Sequence, residues 1–125
     1  MADGHSTYTI REDGGTGTVK IADEVVAVIA GLAATEVRGV ASIAGGITND
    51  MVARKGIKAL SKGLHVTVED QLVTIDLSVS LEYGCSIPEV GKAIQEKVKS
   101  AIENMTGMQV TDVNVKVADI AAPAD

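Results

Sequence analysis

Residues 64–83 have the sequence LHVTVEDQLVTIDLSVSLEY, in which apolar and polar side chains alternate along nearly the whole segment. Such strict alternation predicts β-strands with one face on a core and the other in water. The pattern is interrupted at Asp70 and Gln71, which predicts a tight turn between two antiparallel strands. The segment therefore predicts a β-hairpin whose apolar face needs a covering layer.

A long amphipathic helix is predicted directly after the hairpin. Ser86 and Glu89 have the spacing of a capping box, Pro88 fits the first turn, and Gly107 is typical of a helix end. Charged residues occupy the face opposite the apolar positions. Those positions recur at steps of three and four: Ile87, Val90, Ile94, Val98, Ala101, Ile102 and Met105.

An earlier helix is predicted from Asp23 and Glu24 to about residue 37, and it carries two apolar stripes instead of one. The first stripe contains Val25, Val28, Ile29 and Leu32. The second contains Val26, Ala30, Ala33 and Val37. Because a surface helix needs only one stripe, this helix is either covered on both sides or keeps one face for a partner. The second stripe is the candidate self-association face.

The remaining elements complete a single domain. Strands are predicted at residues 18–21 and 40–44, a shorter helix at 50–61 capped by Asn49 or Asp50, and a last strand with Val113, Val115 and Val117 inward. We expect an arm without fixed structure at residues 1–17, a domain at 18–120 and a loose tail at 121–125. The fold class predicted is α+β, a two-layer sandwich in which two principal helices pack on one face of a mainly antiparallel sheet.

Composition excludes several classes of protein. The 125 residues include no Phe or Trp and only two Tyr, and the chain has a net charge of −6. Both the lack of aromatic rings and the negative charge disfavour nucleic-acid binding. A single cysteine, Cys85, excludes an internal disulfide and suits a reducing compartment. No apolar run reaches the roughly 18 residues of a membrane span, and the start of the chain lacks the pattern of a secretory signal. We therefore expect a cytoplasmic protein.

The residues that could carry catalysis are scattered. His65 is predicted alone on the wet side of a strand, and Cys85 in a turn before a helix. Glu69 and Asp70 fall at the hairpin turn, where solvated carboxylates are ordinary. Catalysis requires a nucleophile beside a base, paired carboxylates in a cleft or a metal cluster. The sequence therefore predicts no enzyme and no cofactor or metal site.

One segment departs from the acidic balance of the chain. Residues 51–63 contain Arg54, Lys55, Lys58 and Lys62 and no acidic residue, whereas the rest holds 7 basic and 17 acidic residues. On one helix, Arg54, Lys58 and Lys62 would stack at four-residue steps. This candidate patch either binds an anionic partner, which is an acidic protein surface, lipid head groups or a phosphate-bearing ligand, or is a solvated basic face.

Four segments resemble, in order, the alkaline shock protein family, the envelope stress response proteins of Gram-positive bacteria. They are EVRGVASIAGG (36–46), SKGLHVTVED (61–70), EYGCSIPEV (82–90) and MTGMQVTDVNVKV (105–117). The resemblance covers about residues 17–118.

The resemblance implies a small non-enzymatic α+β protein of the cytoplasm that acts in the cell-envelope stress response. It implies self-association into a homo-oligomer and association with the membrane through a membrane-anchored protein partner. The alternative that it implies is a regulatory or scaffolding accessory of fatty-acid and lipid metabolism enzymes. It supplies no catalytic residues.

Overall fold

The computed structural model describes residues 10–11, 18–19, 21–44, 46–56 and 63–122. Its elements, in chain order, are β1 (Ile10–Arg11), β2 (Thr18–Val19), α1 (Asp23–Glu36), β3 (Val40–Ile43), α2 (Asn49–Lys55), β4 (Leu64–Glu69), β5 (Leu72–Glu82), α3 (Ile87–Thr106) and β6 (Gln109–Ala121). The predicted α+β class is confirmed.

Strand β5 is the centre of the main sheet. Along one edge it pairs antiparallel with β4, from Leu72 to Leu77, and then with β3, from Val79 to Leu81. Strands β3 and β4 therefore lie end to end and together form one composite edge. Along its other edge β5 pairs with β6, and the two run parallel because α3 connects them. The predicted hairpin is confirmed, and the sheet is antiparallel on one side of β5 and parallel on the other.

The core lies between the sheet and two helices. The inward side chains of β5 are all nearly inaccessible to water: Val73, Ile75, Leu77, Val79 and Leu81. Helix α3 buries Val90, Ile94, Val98 and Ile102 in the same core, and α1 packs against both α3 and the sheet. Each large apolar side chain buried there contributes about 1.5–3 kcal/mol before entropy is counted. The predicted two-layer arrangement is confirmed.

The ends of α3 differ from the prediction. Ile87 and Met105, both expected in the buried stripe, are 46% and 70% exposed because they lie at the helix ends, beyond the core. Ser86 is the N-cap residue, but its side chain makes no capping hydrogen bond, so the expected capping box is not formed. Gly107 ends the helix in the left-handed conformation, as predicted.

The boundaries of the domain also differ. Within the predicted strand at 18–21, Thr18–Val19 form β2, which pairs with β1 in a separate two-stranded sheet, and Ile21 is not in a strand. Residue 20 lies outside the described residues. Strand β1 lies within the arm for which no fixed structure was expected. Strand β6 continues to Ala121, so the predicted tail begins too early. Other residues of the arm, and residues 123–125 of the tail, lie outside the described residues.

Helix α2 is shorter than predicted. Its N-cap is Thr48, not Asn49 or Asp50, and the Thr48 hydroxyl accepts a hydrogen bond from the Met51 amide at 3.4 Å. The helix ends at Lys55 because Gly56 takes a positive φ of 60°, which leaves the helical conformation. Residues 57–61 of the predicted helix lie outside the described residues.

The hairpin turn gives a first stability prediction. Asp70 and Gln71 have φ angles of 50° and 69°, and a left-handed backbone costs a non-glycine residue roughly 1–2 kcal/mol. We expect Gln71→Gly to raise the free energy of unfolding by about 0.5–1 kcal/mol, since glycine removes this strain but gains entropy in the unfolded chain. The Gln71 carbonyl, which accepts from the Gln109 amide, is retained. Urea unfolding measures the change. Gln71→Ala, which keeps the strain, should show no gain, and a lower midpoint for Gln71→Gly would contradict the argument.

Candidate functional site

The basic segment is described only in part. Arg54 and Lys55 are exposed on the last turn of α2, whereas Lys58 and Lys62 lie outside the described residues. Arg54 Nη2 lies 3.0 Å from Asp50 Oδ2, and both side chains are largely exposed. An exposed pair at this helical spacing contributes only about 0.3–0.5 kcal/mol. An anionic group of a partner can therefore replace Asp50 at small cost.

Two anchors hold this short helix on the domain. Asn49 Nδ2 donates to Thr35 Oγ1 at 2.8 Å and to the Leu32 carbonyl oxygen at 3.4 Å, at the end of α1. Val52 is 1% exposed and belongs to the core. Arg54 and Lys55 consequently project from a helix whose position is fixed at its start and middle.

The candidate self-association face is a correction. Val26 and Ala30 are fully buried, Ala33 is 4% exposed, and the half-buried Val37 packs against the same core. Helix α1 contacts α3, α2, β3 and β4, so its own chain covers the second stripe and most of the first, in which Val25 remains 49% exposed. Of the two alternatives left open by the sequence, the helix covered on both sides is the one observed. This face is therefore not available to a second copy, and self-association needs another surface.

The scattered reactive residues remain apart in the structure. His65 is exposed on the open sheet face, opposite Asp76, whose Oδ1 accepts a hydrogen bond from Asn114 Nδ2 at 2.9 Å. Cys85 is a half-buried free thiol in the turn before α3. Glu69 and Asp70 are exposed at the hairpin turn. Within the described ranges no group of three or more His, Cys, Asp or Glu residues is arranged to hold a metal ion.

Strand β6 lies at the edge of the main sheet. Its inner side pairs with β5, and no other strand in the described part of the chain pairs with its outer side. Two side chains of α3 cover the beginning of this outer side. Glu103 Oε2 accepts from the Val110 amide at 3.0 Å, and Gln95 Nε2 donates to the Val113 carbonyl at 3.0 Å.

A regular part of this edge begins at Asp112 and includes Val113, whose carbonyl accepts from Gln95. The pairing of β6 with β5 shifts at Thr111 and again at Ala118, so residues 112–117 form an unbroken strand between two bulges. The Val113 carbonyl points outward to Gln95, and backbone groups alternate along a strand. Val115 and Val117 therefore also present their amide and carbonyl groups outward. We call the outward side of residues 112–117 the β6 edge.

A groove runs beside the β6 edge, between β6 and the first half of α3. It is lined by Ile87, Pro88, Gly91, Lys92, Gln95, Val115 and Val117. The exposed Ile87 and the half-buried Val115 and Val117 make it partly apolar. A free strand edge beside an apolar groove is the combination by which sheets bind an extended segment as an added strand. The sequence predicted the inward valines but gave no sign that their strand would be an edge.

Comparison with known proteins identifies relatives along most of the chain. The uncharacterized protein YqhY of Bacillus subtilis is 38% identical over 109 residues, covering 87% of this chain and 81% of that protein. The uncharacterized protein Spy1535 of Streptococcus pyogenes is 40% identical over 108 residues, covering 85% and 81%. A stress response regulator gls24 homolog of Streptococcus pyogenes is 30% identical over 105 residues, covering 83% of this chain and 59% of the regulator.

No solved structure shows significant similarity to the chain. None of the helices in the described residues is both long and apolar enough to span a membrane. The model of the Asp23 family, described as having a cell envelope-related function, matches residues 11–122. Together with the Gram-positive stress response relatives, this match confirms the resemblance found in the sequence. The chain belongs to the Asp23 family.

Proposed function

We propose that this chain is a non-enzymatic component of the cell-envelope stress response that acts by self-association and by binding protein partners on the cytoplasmic side of the membrane. The family and the gls24 homologs support the stress role. The observation that carries the binding role is the β6 edge with its groove. Its outward backbone groups are paired by no strand among the described residues, and they lie beside the exposed Ile87 and the half-buried Val115 and Val117.

The test is site-specific photo-cross-linking in Gram-positive cells under envelope stress, in a strain whose own copy of the gene is deleted. The photoreactive residue replaces Ala118, an exposed residue next to the β6 edge, or, as a matched control, the exposed Ala53 on α2. We expect products from position 118 to contain a second copy and membrane-fraction proteins. The proposal is wrong if position 118 gives no protein products and the deletion leaves stress survival unchanged.

A second candidate function is a regulatory or scaffolding accessory of fatty-acid and lipid metabolism enzymes. It is favoured by the exposed Arg54 and Lys55 on the last turn of α2. The ion pair of Arg54 with Asp50 is weak, so Arg54 is open to an acidic partner. In this case cross-links from position 53 should dominate, and Arg54→Gln with Lys55→Gln should abolish them. Lys97→Gln with Lys99→Gln removes the same charge from α3 and serves as the control. Cross-links that persist without Arg54 and Lys55 would show that these two basic residues do not bind the partner.

A further inference from the structure

We infer that the β6 edge pairs with the same edge of a second copy, antiparallel and about a two-fold axis at Asn114. The two main sheets then form one continuous sheet across the dimer. This inference rests on the self-association in the proposed function and adds the surface and the register.

The backbone restricts the registers that are available. The outward amide and carbonyl groups belong to Val113, Val115 and Val117, because the Val113 carbonyl points to Gln95 and directions alternate. Two strand edges can pair only when the outward amide and carbonyl groups of one strand face those of the other. Val113 can share its carbonyl, since an oxygen that accepts from Gln95 keeps a second lone pair. The two-fold axis therefore passes through one of the residues from 112 to 117.

Charge selects one of these registers. Asp112, Asn114 and Lys116 pair with Thr74, Asp76 and Ser78 on the polar face of the sheet, and all three are exposed. An axis at Asn114 places Asp112 opposite Lys116 of the second copy, and Lys116 opposite Asp112. An axis at residue 112 or 116 places like charges opposite each other. Axes at residues 113, 115 and 117 leave the charges without directly opposite partners of the other sign. Cross-strand opposite charges stabilise a pair of strands and like charges destabilise it.

The apolar face agrees with the same register. An axis at Asn114 places Val113 opposite Val115 of the second copy, twice, and these two pairs exchange backbone hydrogen bonds. Val115 is half-buried and lies at the groove that contains Ile87, so the pairing covers apolar surface left exposed in the single chain. Because the contact is the same on both copies, it closes as a dimer and does not propagate into a filament.

Charge reversal tests the register. We expect Lys116→Asp and Asp112→Lys each to weaken the dimer about 10-fold or more, since each puts like charges opposite each other twice. A mixture of the two variants should form a heterodimer with wild-type affinity, and the double variant should recover the homodimer. Lys55→Asp, a charge change of the same size at an exposed position on α2, should leave the dimer intact. Sedimentation equilibrium measures the dissociation constants of the two single variants, their mixture, the double variant and the control. Urea unfolding verifies that each variant is folded.

A disulfide gives an independent readout of the register. With Cys85→Ser in the background, Asn114→Cys should form a dimer on mild oxidation, because opposing residues in a non-hydrogen-bonded pair lie about 4.5 Å apart, within disulfide reach. Lys116→Cys, which opposes residue 112 of the partner copy, should not form one.

The outcomes separate the inference from the proposed function. A wild-type dimer that neither charge reversal weakens overturns the β6 pairing and leaves self-association standing on another surface. A strict monomer at millimolar concentration overturns both the pairing and self-association, while protein partners remain testable through cross-links from position 118.

Discussion

Gly63→Ala should lower the free energy of unfolding by about 2–3 kcal/mol, a typical cost of overpacking a tight core position. Gly63 is buried where the composite edge passes from β3 to β4. A β-carbon there would overlap Ile43 Cγ2 and lie 3.1 Å from the Ala44 carbonyl oxygen. Ile43 is fully buried, so its side chain has no free space to enter.

The backbone at this seam cannot move without loss. The Ser78 amide donates to the Gly63 carbonyl at 2.9 Å, and the Ser78 carbonyl accepts from the Ala44 amide at 2.9 Å. The amide and carbonyl groups of Ser78 in β5 thus bind the residue that follows β3 and the residue that precedes β4. Any shift that makes room for a methyl group at Gly63 lengthens one of these hydrogen bonds, each worth about 1 kcal/mol.

Urea unfolding of Gly63→Ala, of Ile43→Ala and of the double variant measures the effect as a double-mutant cycle. We expect Ile43→Ala to cost about 1–2 kcal/mol less when Gly63→Ala is present, because the overlapping methyl group has been removed. The control is Gly91→Ala in α3. A β-carbon at Gly91 meets nothing within 4 Å, so this change should stabilise the protein by about 0.5–1 kcal/mol. Equal stability of Gly63→Ala and wild type, with no coupling, would contradict the packing argument.

The composite edge marks the limit of what the sequence predicts about the fold. Alternation in residues 64–83 and the three- and four-residue steps of α3 are local, and both predictions were confirmed. The pairing of β3 with β5 joins Val40 to Leu81, and it depends on contacts between distant segments that local patterns do not encode. The end of α2 was predicted too late because Gly56 lies within an otherwise helix-compatible segment.

The candidate surfaces show a similar limit. An apolar stripe indicates that a face is covered but does not indicate what covers it. The stripe with Val26 and Ala30 is therefore compatible with a second copy in the sequence, whereas α3 and the sheet cover it in the structure. The β6 edge could not be predicted, since the sequence predicts a strand at Val113 but not its neighbours. Arg54 and Lys55 lie exposed as charge patterning suggested, and their binding role stays a prediction.

Gly39→Ala should destabilise the protein by roughly 3 kcal/mol, through backbone strain and overpacking together. Gly39 has a φ of +101°, which side-chain-bearing residues rarely adopt. A β-carbon there would lie 2.8 Å from Val90 Cγ2 and 3.6 Å from Cys85 Cβ. The Gly39 carbonyl accepts from the Glu82 amide at 2.8 Å, which fixes this turn against the end of β5.

Gly84→Ala separates the two causes. Gly84 has a φ of +91°, but a β-carbon there meets nothing within 4 Å, so this variant carries the strain without the overlap. We expect it to cost about 1–2 kcal/mol, and the excess in Gly39→Ala measures the contact with Val90. That excess should shrink when Val90→Ala is present in both backgrounds. If Gly39→Ala and Gly84→Ala lower the free energy of unfolding equally, backbone strain accounts for the whole loss in Gly39→Ala. Helix α3 then moves away from the added methyl group at Val90 without a cost in stability. The first turn of α3, which carries Ile87 into the groove beside the β6 edge, would then be adjustable instead of fixed.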